Sequence, residues 1–156
     1  MIRKTRRRMT LCIALLCLIL AFIWGNSLLP GEISGAFSSW VKDLLNRLLG
    51  RPPSDSQEGH GLLRKIAHFT EFACLGTSLY WLFSMLRQKF YVPLLCGFLV
   101  ACTDETIQCF IPDRGPAIKD VAIDTAGVAV GIAVLLAAAA IYQKNKNNKI
   151  LEETKQ

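Results

Sequence analysis

Charge is scarce in this chain. Asp, Glu, Lys and Arg together make up 19% of its 156 residues, while 52% are hydrophobic, and the mean hydropathy is +0.34. A soluble domain of this length would need an unusually large core to hold so much apolar material. Histidine is rarer still, at two residues. The six cysteines, at 12, 17, 74, 96, 102 and 109, all fall inside apolar runs and form no Cys-x-x-Cys pair. That argues against a structural zinc site or a loop-bridging disulfide framework, and reads as small hydrophobic packing residues. A nucleophile motif and a His-x-x-Glu-His type spacing are also missing.

The apolar residues are present in four blocks, Met9–Leu29, Ile66–Leu86, Phe90–Ile111 and Val121–Tyr142. Each is close to the ~20 residues a helix needs to cross the hydrocarbon layer of a bilayer. A soluble bundle would need amphipathic helices, and the stretch Val128–Tyr142 has no polar face. The expected fold is therefore all-α: an integral membrane bundle of four transmembrane helices. Residues 1–8 form a basic N-terminal segment, 9–142 the membrane domain and 143–156 a polar tail. The first block follows Arg3-Lys4-Thr5-Arg6-Arg7-Arg8, as in a cleaved signal peptide. Its length, and the lack of a small-x-small cleavage site after it, favour an uncleaved signal anchor instead.

Basic residues fix an orientation. They precede the first block, punctuate the link between the second and third at Arg87 and Lys89, and follow the fourth at Lys144, Lys146 and Lys149. The positive-inside rule puts all three groups, and both termini, in the cytoplasm. The basic ends are thus topology signals, and no nucleic-acid partner is expected. Two segments then lie outside, Pro30–Lys65 and Pro112–Asp120. Within the longer one, Ile33, Phe37, Trp40, Val41, Leu44, Leu45, Leu48 and Leu49 recur at helical spacing, with Gly50 and Pro52-Pro53 as a stop. The spacing predicts an external amphipathic helix over residues 33–49. It could lie in the membrane interface, cover the bundle as a lid, or pack in a small outer domain. Residues 51–61 read as a polar loop, with His60 as a solvated histidine.

Ionisable residues interrupt the apolar blocks in a pattern. Such a group at the bilayer centre costs about 2.5–3.5 kcal/mol on insertion scales, so its presence points to function. Arg64, His68 and Glu71 are spaced i, i+4, i+7 on one face of the second block. Asp104 and Gln108 are four apart near the end of the third block, with Glu105 three before Gln108. Asp120 and Asp124 are four apart at the start of the fourth. At ~1.5 Å per residue, His68, Asp104 and Asp124 each lie roughly 9–10 Å inside the outer helix ends. Matching depth on three helices predicts a shared polar pocket beneath the outer surface. The competing account is an ion-pair cluster in which Arg64, Lys65, Arg114 and Lys119 neutralise the five carboxylates and pin the helices. Small residues hold membrane helices more cheaply, and Gly127 and Gly131 supply a Gly-x-x-x-Gly seam in the fourth block. Pro93 is placed to kink the third helix.

These stretches also resemble a known family. The segments are Asn26-Ser27-Leu28-Leu29-Pro30-Gly31-Glu32-Ile33-Ser34 and Arg64-Lys65-Ile66-Ala67-His68-Phe69-Thr70-Glu71-Phe72. Further on come Thr103-Asp104-Glu105-Thr106-Ile107-Gln108 with Pro112-Asp113-Arg114-Gly115, and Lys119-Asp120-Val121-Ala122-Ile123-Asp124-Thr125-Ala126-Gly127. In their order and spacing the chain resembles the VanZ-like membrane proteins, named for a member linked to teicoplanin resistance. The family usually carries Asn where this chain has Asp124, which adds an acid to the pocket. The resemblance implies a bacterial plasma-membrane protein of the cell envelope with a part in glycopeptide tolerance, and it names a phenotype better than a reaction.

Three functions compete on these residues. In the first, Arg64, Lys65, Gln108, Arg114, Lys119, Asp120 and Asp124 bind a lipid-linked anionic envelope precursor or a lipoglycopeptide, the cations pairing with its phosphate or carboxylate. In the second, His68, Glu71, Asp104 and Glu105 form the acid–base set or metal site of an enzyme acting on polyprenyl phosphate. The cofactor is then unknown; oxygen ligands with one imidazole suit Mg²⁺ or Mn²⁺, and Zn²⁺ less well. His68 would serve as acid–base or ligand, or simply as a hydrogen-bonding partner of Glu71 or Asp104. In the third, intramembrane acids relay protons in a small transporter or lipid translocator. The inner halves offer no ionisable path, so a conduit would require an oligomer.

Overall fold

The computed structural model describes residues 2–50, 60–112, 114, 115 and 117–153, and every regular element among them is helical. In chain order these are α1 (Ile2–Ser27), α2 (Gly31–Leu48), α3 (His60–Met85), α4 (Tyr91–Gln108) and α5 (Ile118–Glu153). The expected all-α architecture is present, and four of the helices carry the four apolar blocks. Two of them, α1 over Thr5–Ser27 and α5 over Ile118–Glu152, are long and apolar enough to cross a membrane. Only 17% and 28% of their most apolar windows are buried, so neither is the core helix of a water-soluble fold. Leu11, Leu18 and Phe22 of α1, Leu95 and Leu99 of α4 and Val134 of α5 all point away from the rest of the chain. An outward apolar surface of this kind is what a bilayer solvates.

Several helix ends differ from the apolar edges. α3 starts at His60, six residues before Ile66, so His60 belongs to a helix and not to a loop. The rest of the expected polar loop, residues 51–59, lies outside the described residues. α5 runs on through the polar tail as far as Glu153. Hydropathy marks where a helix could leave lipid, whereas helix ends are set by backbone hydrogen bonding, and Lys, Gln and Leu in the tail favour helix in any solvent. Pro93 falls in the first turn of α4. There its missing N–H would have had no intrahelical acceptor, so it needs no kink.

The stops are local and legible. α3 ends with Arg87 at φ 55, while Arg87 N–H donates to Ser84 O at 3.1 Å and Gln88 N–H to Phe83 O at 3.0 Å. This is the Schellman arrangement, with arginine in the left-handed position usually given to glycine. α2 ends before Gly50, which takes φ 65, as its stop signal predicts. Glu32 in the first turn and Arg47 in the last complement the α2 dipole.

The core runs along the bundle axis. Leu16 and Ile23 of α1, Phe72, Leu75 and Leu79 of α3, Ala101 of α4, and Val128 and Ile132 of α5 pack together. The most extensive contact is between α3 and α5. A Cβ on Gly131 would collide with the Ala73 carbonyl, and one on Gly127 would lie 2.5 Å from Phe69 O. Gly76 faces the Val128 carbonyl in the same way from the other side. The Gly-x-x-x-Gly pair therefore is the seam its spacing suggests, and Thr77 Oγ1 adds a hydrogen bond across it to Gly131 O at 3.1 Å. α2 stands apart, packed chiefly on α3. Its apolar side chains Ile33, Trp40, Leu44 and Leu48 remain exposed. The six cysteines are all free.

Candidate functional site

One end of the bundle collects the polar residues. There the C-terminal turn of α1, the first turns of α3, the last turns of α4 and the first turns of α5 come together, joined by the α4–α5 loop. Asp104 of α4 lies at the centre and is fully buried. Its Oδ1 accepts a hydrogen bond from Ser27 Oγ at 2.6 Å, and its Oδ2 accepts one from Gln108 Nε2 at 2.8 Å. Gln108 Nε2 also donates to Ser27 Oγ at 3.2 Å, which closes a triangle of three buried side chains. Gln108 Oε1 in turn accepts from Arg64 Nη2 at 3.1 Å, which brings in α3.

The two neighbouring acids face elsewhere. Glu71 sits three residues beyond His68, enough rotation to aim it at α1, where Asn26 Nδ2 donates to its Oε1 at 3.1 Å. Glu105 turns toward the α4–α5 loop and accepts from the Ala117 backbone N–H. That N–H stands immediately ahead of α5, where donors have no intrahelical acceptor and a carboxylate is favoured by the dipole. Glu105 thus fastens the start of α5, and Glu71 fastens α3 to α1.

The remaining groups enclose a cavity of about 180 Å³. Arg64, Lys65 and His68 reach it from α3, Gln108 from α4, Arg114 from the loop, and Asp120 and Asp124 from α5. Arg114 is 8% exposed and donates from Nη2 to the Asn26 carbonyl at 2.9 Å. Its Nε and Nη1 are buried with no partner. Burial, reinforced by the nearby Arg64 guanidinium, pushes the Arg114 side chain below the usual arginine range. Asp124 is 3% exposed and its Oδ1 has no partner, as is true of the half-buried His68 at Nδ1. One ligand atom from each of His68, Asp104 and Asp124 lies within 4.8 Å of the other two.

The sequence-derived set therefore divides. His68, Asp104 and Asp124 meet at one level, and Arg64, Lys65, Gln108, Arg114 and Asp120 share the cavity with them. Glu71 and Glu105 bond away from it, and Lys119 is exposed on α5 outside its lining. No ion pair among the described residues holds this end. Among the described residues the carboxylate partners are the neutral Asn26, Ser27, Gln108 and Ala117 N–H. Asn26 and Ser27 were missed as site residues. The available signal was two adjacent polar residues closing an apolar run that is otherwise uninterrupted from Leu11.

Helices with outward apolar faces and a buried polar cluster at one end define a small all-helical membrane protein. A family model described as VanZ/LLP1 matches residues 10–140, and the chain belongs to that family. No curated protein and no solved structure matches it.

Proposed function

We propose that the chain is a four-crossing envelope protein whose polar cavity opens toward the outer leaflet and binds the anionic head of a lipid-linked envelope molecule, supporting tolerance of teicoplanin-type glycopeptides. The observation that carries this reading is the meeting of Arg64, Lys65 and Arg114 in one cavity. Among the described residues none of the three is tied up by a carboxylate, and Arg114 keeps two buried guanidinium nitrogens without an acceptor. Buried donors of this kind are costly unless something accepts from them, and guanidinium groups match phosphate and carboxylate oxygens.

The setting supports a ligand with a lipid tail. An apolar groove of about 550 Å³ between α1 and α3 is lined by Leu18, Ile19, Phe22, Ala67 and Cys74, with Glu71 at its polar edge. It offers room for an acyl or polyprenyl chain. The exposed apolar face of α2 suits an interfacial helix, which would hold the cavity mouth at head-group depth. α3 and α4 complete the four crossings once their polar ends are enclosed by neighbours. Positive-inside charge at α1, at the α3–α4 link and at the α5 tail sets the termini in the cytoplasm.

The test is lipid mass spectrometry on gently purified protein. Co-purification of polyprenyl-phosphate-linked species with wild type, reduced in Arg114→Ala, is the expected result. In a deletion strain, unchanged sensitivity to teicoplanin and other envelope antibiotics would count heavily against the reading.

A further inference from the structure

We propose that His68, Asp104 and Asp124 form a binding site for one divalent cation of the Mg²⁺/Mn²⁺ class, with its remaining coordination positions turned toward the cavity. The site stands on its own geometry, while the role given to the ion rests on the lipid-anion reading.

The convergence is specific. Three helices, α3, α4 and α5, each deliver one ligand atom, and the three atoms lie within 4.8 Å of one another. Asp124 is 97% removed from solvent by its 3% exposure, yet its Oδ1 has no donor. His68 Nδ1 is buried and equally without a partner. A buried carboxylate oxygen and a buried imidazole nitrogen on residues that converge in this way, both lacking partners, carry a penalty that a shared cation removes.

The surroundings keep these ligands available. The two guanidiniums nearest them donate to neutral oxygens, Arg64 to Gln108 Oε1 and Arg114 to Asn26 O. Asp104 is held on both oxygens by Ser27 and Gln108, which is how neighbouring groups usually orient a metal-binding carboxylate while leaving it lone pairs for the ion. Two carboxylates and one imidazole are a mainly hard donor set. The nitrogen donor favours Mn²⁺ over Mg²⁺, since affinity for such sites is higher for the transition ion.

The ion also resolves the charge of the cavity. Arg64, Lys65 and Arg114 are offset in formal charge by Asp104, Asp120 and Asp124. A bound dication leaves the cavity positive by two, which a phosphate head group matches, with a phosphate oxygen completing the coordination.

The experiment is a Mn²⁺ titration followed by electron paramagnetic resonance, on full-length protein purified through chelator and placed in phosphatidylcholine nanodiscs. One saturable Mn²⁺ per chain is expected, with nitrogen hyperfine coupling from His68. His68→Ala should abolish that coupling and weaken binding at least about tenfold, as should Asp124→Asn. Lys119→Ala, outside the cavity, should bind as wild type does. Elution volume and melting temperature identify any variant that fails to fold, and the nitrogen coupling of the wild type tests the site without a variant. No saturable site in the wild type, or one without nitrogen coupling that survives both substitutions, overturns the proposal. Polyprenyl-phosphate retention by protein that binds no Mn²⁺ overturns the ion and leaves the lipid reading standing. Mn²⁺ binding without lipid retention supports the ion and sinks the lipid reading.

Discussion

The α3–α5 seam and the polar end of the bundle hold helices together by opposite means. Along the seam, glycines at 76, 127 and 131 let two backbones touch, and the gain comes from close van der Waals contact. On the four-crossing reading hydrophobic burial adds little there, because lipid is as apolar as the core. At the polar end, Ser27, Asp104 and Gln108 join α1 to α4 through hydrogen bonds among buried side chains. The first contact tolerates no added volume, whereas the second tolerates no lost partner. Of the two, only the second leaves described polar groups without partners, which is why the proposed binding is put there and not at the seam.

That contrast can be broken experimentally, beginning with its largest consequence. Gly131→Leu should destabilise the bundle by about 3 kcal/mol, at the upper end for overpacking. The Ala73 carbonyl and Thr77 N, at 2.9 Å from an added Cβ, are backbone and cannot rotate aside. Thermal melting of the detergent-solubilised protein measures it. Ser27→Ala should cost about 2 kcal/mol by stripping a buried carboxylate of one donor and Gln108 of one acceptor. A smaller loss than for Gly131→Leu in the same melt is expected, and an equal or larger one would reverse the ranking of the two contacts. Arg64→Ala should cost about 1 kcal/mol in the same melt, through loss of its bond to Gln108 Oε1, and weaken retention of an anionic lipid about tenfold, the effect of losing one charge-assisted hydrogen bond worth about 1.4 kcal/mol. Lys119→Ala should move neither quantity beyond about 0.5 kcal/mol, because its side chain is exposed and outside the cavity.

Much of this was legible without coordinates. Apolar block length foretold the helices, equal depth below the outer helix ends foretold that His68, Asp104 and Asp124 would meet, and Gly-x-x-x-Gly foretold the seam. What escaped had physical reasons. Asn26 and Ser27 are neutral, so they raise no insertion penalty large enough to draw notice, yet they supply the donors for Glu71 and Asp104. Glu71 and Glu105 were grouped with the site by periodicity alone. A shift of three residues, or of one, rotates a side chain far enough around the helix to face a different neighbour, and spacing cannot say which neighbour is there. The extension of α5 to Glu153 was hidden because polarity signals departure from lipid and not the end of a helix.

The satisfaction of Asp104 by residues from elsewhere has a consequence for biogenesis. On the four-crossing reading, α4 enters the bilayer with Asp104, Glu105 and Gln108 in its last two turns, before α5 has been made. Ser27 of α1 is already in place to receive Asp104, but the Ala117 N–H that Glu105 requires arrives only with the next segment. Lasting residence of α4 in the membrane therefore depends on a helix synthesised earlier and a loop synthesised later, so that integration and assembly are a single event, and an incomplete chain would expose its unmet acids to membrane quality control.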